Sequence, residues 1–230
     1  MHKMLRWLVV WGALILTMPV VQAQADTATS SDFQSSYFDQ NSESDDTGLQ
    51  TSGKGNRPNP NRLAIPNNTP TPLEGFKWKK KKISIYMDTD DPKLQWAFRD
   101  AVKRWNKVKA VKIYWTKDME KANIIANGGD LSGHTLGNNN AGYTSSELGS
   151  TKTEYNPDTN TLHQATSTLD PNQLDYTSKS FRSKVAQHEL GHALGLAHAE
   201  EYEHSVMIPR NIKTGITKND AKTLRMLYRD

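Results

Sequence analysis

Three histidines and one glutamate near the C-terminal end of the chain are spaced so that they could bind a metal ion and carry out hydrolysis. Residues 188–198 read His-Glu-Leu-Gly-His-Ala-Leu-Gly-Leu-Ala-His. The good helix formers that lead into this run predict a helix that includes His188 and His192. These two residues are four positions apart, so on a helix they share one face and can both reach one zinc ion.

The same run supplies a third ligand and a base. Gly195 follows His192 by three residues, where the chain must leave the helix, and glycine adopts such a turn at little cost. That turn would bring His198 back as the third ligand and leave the fourth position of a tetrahedral zinc open to water. Glu189 is poorly placed to bind the metal itself but can reach that water.

This arrangement predicts hydrolysis of a peptide bond by a zinc-activated water, with Glu189 as general base. A purely structural zinc site would not need a carboxylate there. The chain contains no cysteine. Disulfides, cysteine-ligated zinc and a thiol nucleophile are therefore excluded.

The run resembles the signature of the metzincin metalloproteases, His-Glu-x-x-His-x-x-Gly-x-x-His followed by a Met-turn. Ser205-Val206-Met207 resembles that turn, and the resemblance implies that Met207 forms the apolar floor of the zinc site. The chain is most similar to the matrixin branch. The features that carry this similarity are Val185-Ala186 before the run, the run itself, and the closing segment from Ile216 to Tyr228.

The resemblance covers about residues 76–230 and implies an α+β catalytic domain. That domain has a twisted mixed sheet, an amphipathic helix, an active-site helix, a Met-turn and a C-terminal helix. A propeptide cysteine that occupies the zinc, as matrixins often carry, is excluded here. Position 209 is proline, so the extra tyrosine ligand of astacins and serralysins is also missing. The family implies a substrate bound extended along an edge strand, and we expect residues 161–169 to be that strand.

The elements that position the site follow from hydrophobic periodicity. Alternating apolar residues predict strands at 83–87 and 111–115, and a short third strand is predicted at 122–126. Asp91-Pro92 is a good helix start, and apolar residues recur at helical spacing as far as Val108. Residues 128–149 are rich in Gly, Asn and Ser and predict a loop. Thr217 and Asp220 form a capping box that opens a closing helix.

Residues 1–25 have the layout of a secretion signal, with a basic start, an apolar run and a small-x-small site that predicts cleavage after Ala25. An uncleaved membrane anchor is the alternative. Residues 26–75 predict a disordered polar spacer, since they cannot bury enough apolar surface to fold. A propeptide that masks the active site is the alternative there. Residues 76–230 are then the catalytic domain of a secreted protein.

Composition agrees with this division. Only 35% of the chain is hydrophobic and its mean hydropathy is −0.75, in part because of the spacer. The net charge of +4 does not demand a nucleic-acid partner, and we expect none. It combines +2 on the secretion signal, −4 on the spacer and +6 on the catalytic domain. The lysine run at 79–82 (Lys79, Lys80, Lys81 and Lys82) could bind an anionic cell surface weakly, although a solvated strand edge is the favoured interpretation.

Other candidate ligands have weaker support. Glu200, Glu201 and Glu203 could bind calcium, but a solvated acidic turn is favoured. His134 and His163 could share a second zinc, yet no ligand spacing supports it, and His204 is expected at the surface. We expect a monomer that acts on a polypeptide. The alternative is an exported zinc protein that binds or processes cell-wall peptide or a peptide signal.

Overall fold

The structure is a computed structural model that describes residues 8–16, 59–132, 146–210 and 212–229. The predicted cleavage site and the predicted spacer up to residue 58 lie outside these residues. Within them, no helix has the length and the apolar character needed to cross a membrane. In chain order the elements are β1 Leu8–Leu16, β2 Lys82–Asp88, α1 Pro92–Lys107, β3 Lys112–Trp115, β4 Ile124–Gly128, β5 Ser146–Asn156, β6 Thr161–Leu169, α2 Pro171–Leu174, α3 Lys179–Ala193 and α4 Lys218–Leu227.

A mixed sheet carries the fold, with strands in the order β1-β5-β6-β4-β2-β3. Strand β2 pairs in parallel with β3 and β4, and β4 pairs in parallel with β6. Strand β5 is antiparallel to β6, and β1 is antiparallel to β5. Five of these strands lie within residues 59–229, so the predicted α+β class with a mixed sheet is confirmed. The sixth comes from residues 8–16, which the sequence assigns to the apolar core of the secretion signal.

Two predictions about the sheet are wrong. Residues 161–169 do form a strand, but β6 lies between β4 and β5 and is not an edge. The predicted loop at 128–149 overlaps β5, which begins at Ser146 and runs to Asn156. Hydrophobic periodicity does not predict β5, because several of its buried residues are polar, namely Glu147, Ser150, Thr151 and Thr153.

Helix α1 packs across the helix that carries the candidate ligands. Asp91 caps α1 by accepting hydrogen bonds from the backbone N–H groups of Lys93 and Leu94, as its sequence predicts. The apolar side of α1 is buried in the core, and Trp105 is fully enclosed. The indole Nε1 of Trp105 donates to the carbonyl oxygen of Gln187 at 2.9 Å. That bond joins α1 to α3 one residue before His188.

The packed chain begins before residue 76. Residues 71–74, which we call the N-terminal strap, run antiparallel to the loop after α3. Leu73 forms a β-bridge with Leu196, and the N–H of Glu74 donates to the carbonyl oxygen of Gly195 at 3.0 Å. The side chain of Thr71 is completely buried. The strap is therefore part of the folded domain, although the sequence places it in the spacer.

Asp220 joins the two ends of this domain. Its buried carboxylate accepts hydrogen bonds from Thr71 Oγ1 at 2.9 Å and from the backbone N–H of Val206 at 3.0 Å. It also accepts from the hydroxyl of Ser205 and, in the predicted capping box, from Thr217. One carboxylate therefore connects the strap, the segment after His198 and α4.

We expect Asp220→Asn to lower the free energy of unfolding by about 3 kcal/mol, because the amide replaces an acceptor by a donor that faces buried donors. Chemical denaturation monitored by tryptophan fluorescence would measure the loss. Asp118→Asn is the matched control, since the Asp118 carboxylate lies at the surface, where it accepts from the backbone N–H and the ammonium group of Lys121. Equal stabilities of the two variants would contradict the role assigned to Asp220.

Candidate metal centre

The two histidines of the helix lie on a buried segment of α3. Ser178 caps the helix by accepting from the N–H of Phe181, and every residue from Val185 to Ala193 is buried. Because the helix is enclosed on all sides there, it shows no amphipathic pattern. His188 is fully buried and His192 is only 2% exposed.

Gly195 makes the turn that returns the chain to the site. Its φ is +97°, a conformation that side chains other than glycine rarely adopt. A Cβ at this position would lie 2.5 Å from the carbonyl oxygen of Phe76. Glycine is therefore required both by the backbone angle and by the close approach of the chain next to the strap.

The three predicted ligands come together. Candidate ligand atoms of His188, His192 and His198 all lie within 4.8 Å of one another, and this is the one group of its kind within the described residues. The ring centroids are 4.7–5.3 Å apart. The Nε2 atoms of His188 and His192 are separated by 3.1 Å.

Hydrogen bonds on the far side of two rings set their tautomers. Nδ1 of His188 lies 2.7 Å from the carbonyl oxygen of Val206. Nδ1 of His192 lies 2.9 Å from Oε1 of Glu74. Both partners are acceptors, so each Nδ1 must carry the proton and donate it. In the neutral rings the Nε2 lone pairs then point at each other.

A zinc ion fits this arrangement. Facing lone pairs 3.1 Å apart repel unless a cation or a proton lies between them. Tetrahedral ligands at zinc–nitrogen distances of 2.0–2.1 Å are about 3.3–3.4 Å apart, which is close to that separation. Nε2 of His198 is buried and has no hydrogen-bond partner among the described residues. Burial, reinforced by the charge of His192, lowers the pKa of His198 to about 3, so this ring is neutral and can act as a ligand.

The Met-turn residues lie beneath the histidines. Met207 is fully buried. A Cβ on Gly191 would lie 2.4 Å from the Met207 sulfur, so the absence of a side chain on α3 lets the sulfur pack against the helix between the two ligands. Met207 therefore packs against α3 between the two ligands, and the carbonyl oxygen of Val206 beside it fixes the ring of His188.

The side chain of Glu189 extends from α3 towards β5. Its Oε2 accepts a hydrogen bond from Thr151 Oγ1 at 2.7 Å, and its Oε1 is buried without a partner among the described residues. A Cβ on Gly149 would lie 2.7 Å from that Oε1, so the glycine leaves room for the carboxylate. Burial raises the pKa of Glu189 to about 8, against the opposing effects of the His192 charge and the Thr151 hydrogen bond.

Glu74 is a residue of the site that the sequence does not reveal. Oε1 of Glu74 accepts a hydrogen bond from Nδ1 of His192, on the side of the ring opposite the other histidines. A carboxylate in this position fixes the orientation of a metal-binding histidine and raises its basicity. Burial alone would lower the pKa of His192, but the hydrogen bond and charge of Glu74 outweigh it and raise that pKa. The sequence signal was weak, because Glu74 lies in a polar, proline-rich segment more than 100 residues before its partner.

The other candidate ligands lie apart from the histidine cluster. His163 and His204 are exposed, and His134 lies outside the described residues. Glu200, Glu201 and Glu203 form no metal-binding group with one another or with other described residues. Calcium binding by these three glutamates is therefore a prediction that the described residues do not support.

We expect Glu74→Gln to weaken zinc binding by about 10- to 100-fold, since an amide lacks the charge that raises the basicity of His192. Competition with a chromophoric chelator would measure the zinc affinity directly. Glu201→Gln makes the same chemical change at an exposed position in the loop after His198. Affinities that are equal in both variants would contradict the role of Glu74.

Comparison with known proteins agrees with this geometry. A search of curated proteins found no matching sequence. The family model described as Matrixin matches residues 77–229. This range includes α1, all three histidines, the Met-turn and α4, and it begins just after the strap. Matrixins use zinc, and membership implies a metalloprotease. The match covers well over half of the chain, so the protein belongs to the matrixin family.

Proposed function

We propose that this protein is a secreted zinc-dependent endopeptidase that cleaves polypeptides bound in an extended form. The observation that carries the proposal is the convergence of His188, His192 and His198 beside Glu189, in a chain of the matrixin family. A zinc ion held by the three rings supplies Lewis-acid chemistry, because it activates water and polarises the scissile carbonyl.

Glu189 is the residue of the chain that transfers protons during the reaction. Glu189 takes a proton from the attacking water and delivers it to the nitrogen of the leaving amine. Burial raises the pKa of Glu189 and the charge of a bound zinc ion would oppose that effect, and a group that must accept and then release a proton works best when its pKa is near the working pH. The carboxylate is held for this task by Thr151, and Gly149 leaves it the space to approach β5.

The outer edge of β5 is the proposed site for the substrate backbone. Residues 8–16 pair with this edge in antiparallel register, from Leu8 opposite Tyr155 to Leu16 opposite Ser146. This pairing supports the proposal, because it is the hydrogen-bonding mode in which an extended peptide adds to a sheet edge. A peptide in the same position would pass beside Gly149 and Thr151, and therefore beside Glu189. β5 thus replaces residues 161–169 as the predicted substrate strand.

Export makes that edge available. We expect cleavage after Ala25 to remove residues 8–16 and leave β5 open to substrate. Residues 26–58 would then be a spacer between the mature N-terminus and the catalytic domain. Lys79, Lys80 and Lys82 are exposed, and they support weak association of a secreted monomer with an anionic surface.

We expect Glu189→Gln to reduce hydrolysis of a peptide library by about 100- to 10,000-fold while the zinc content stays near one ion per chain. Activity would be followed by mass spectrometry of the cleaved peptides, and zinc by atomic absorption. Wild-type protein treated with a chelator is the control for the metal. Activity that survives either treatment would contradict the mechanism. Release of wall peptides without cleavage of unfolded protein would point instead to a wall-processing enzyme.

We expect Thr151→Val to move the acid limb of the kcat/KM profile to higher pH. Its hydroxyl stabilises the ionised form of Glu189 and so lowers the pKa, and its removal raises the pKa further. The base must be ionised to accept a proton, so more of it is inactive at a given low pH. Thr166→Val on β6 is the matched control. An acid limb that does not move in Thr151→Val would rule out this hydrogen bond as a tuning element.

A further inference from the structure

Two neighbouring cavities lie away from the histidine cluster and are lined by cations. The first has a volume of about 510 Å³ and lies between the end of α1 and the start of α4. Its walls carry four cationic side chains, which are Arg104, Lys107, Lys218 and Arg225.

The second cavity has a volume of about 590 Å³, and Arg225 lines both cavities. Four further cations line the second cavity, namely Lys81, Lys109, Lys222 and Arg229. Among the described residues, none of those that line either cavity is acidic. We call the pair the twin basic cavities.

Internal pairing neutralises little of this charge. Arg104 forms an ion pair with Asp100, and Arg225 donates to the carbonyl oxygen of Val108 at 3.4 Å. Lys107, Lys109 and Lys222 are exposed and form no ion pair with any residue that the structure describes. Concave surfaces lined by one sign of charge focus the electrostatic potential and concentrate counter-ions. Eight cationic side chains thus line these two cavities, although the net charge of the whole chain is only +4.

We propose that the twin basic cavities bind a linear, base-free phosphate polymer of the kind found at cell surfaces, and so retain the enzyme there. Two cavities that share Arg225 offer successive positions for successive phosphates of one flexible chain. Lysine and arginine are suited to phosphate, and neutralising several phosphates at once supplies the affinity. Binding involves neither zinc nor Glu189. It also differs from the predicted association through residues 79–82, with which it shares only Lys81.

Features of the same residues argue against two other polyanionic partners. Proteins that bind single-stranded nucleic acid stack its bases on exposed aromatic side chains. The aromatic residue that lines the cavities is Tyr228, which is 4% exposed and whose hydroxyl donates to the carbonyl oxygen of Leu194. A bilayer is flat and would reach the rims of the cavities rather than their walls. Met226 is half-buried and offers no large apolar side chain for insertion.

The test uses the full chain and end-labelled linear polyphosphate, with binding followed by fluorescence anisotropy in the presence and absence of a chelator. We expect binding that the chelator leaves unchanged and that weakens with salt, with a log–log slope on the order of −0.7 for each contacted phosphate. The absence of binding would overturn the proposal. So would a log–log salt slope shallower than the one expected for two phosphate contacts. Tighter binding to single-stranded DNA or to vesicles of phosphatidylglycerol would also overturn it, in favour of those partners.

Two variants with the same net charge distinguish binding in the cavities from non-specific attraction by the overall charge of the protein. Lys107→Glu with Lys222→Glu reverses one cation in each cavity and should weaken polyphosphate binding by about 30-fold or more. Lys93→Glu with Lys117→Glu changes the net charge equally at exposed positions elsewhere and should weaken binding less than about 3-fold. Equal weakening would overturn the proposal. Peptidase activity, expected to be unchanged in both variants, shows that each one folds, and the thermal midpoint records the small cost of losing the Lys93–Asp175 ion pair in the control.

Discussion

The site depends on one constraint: the Nε2 atoms of the buried residues His188 and His192 are only 3.1 Å apart. Their Nδ1 protons are fixed by acceptors behind each ring, so the Nε2 lone pairs of the two buried rings face each other. Without a cation or a proton between the two nitrogens this contact is repulsive, and the rings would separate if they were free to move. They are not free, because α3 is buried from Val185 to Ala193 and the Met207 sulfur is packed against Gly191. Packing energy elsewhere in the domain therefore holds the ligands ready for a metal.

The parts that hold the rings are distant in sequence and connected in space. His188 is fixed by Val206, and the N–H of Val206 is bound by Asp220. His192 is fixed by Glu74, and the strap that carries Glu74 is anchored to Asp220 through Thr71. The two helix-borne ligands thus depend on one buried carboxylate in α4. This connection explains why the closing helix belongs to the catalytic domain even though it contributes no ligand.

The sequence was informative where spacing alone determines geometry. The spacing of four positions between two histidines on a helix, a glycine at the helix exit and a third histidine are local relations, and the structure brings those three rings together. The cap of α1 and the capping box of α4 were predictable for the same reason. Strand β5 was not, because its buried face is polar and bonds to Glu189 and Ser167 in place of an apolar core. Glu74 was not predictable either, since its role comes from a contact between segments more than 100 residues apart.

The position of the strap limits how the N-terminal region can be trimmed. A processing protease that cuts before residue 59 leaves in place the contacts of the strap with Asp220, His192 and the loop after α3. A cut after Glu74 would release Thr71 from Asp220 and remove the acceptor behind His192, even though the whole segment matched by the family model would survive. The smallest competent chain is therefore longer than the recognisable matrixin segment. Its N-terminus, determined by sequencing the shortest active fragment, must lie at or before Thr71.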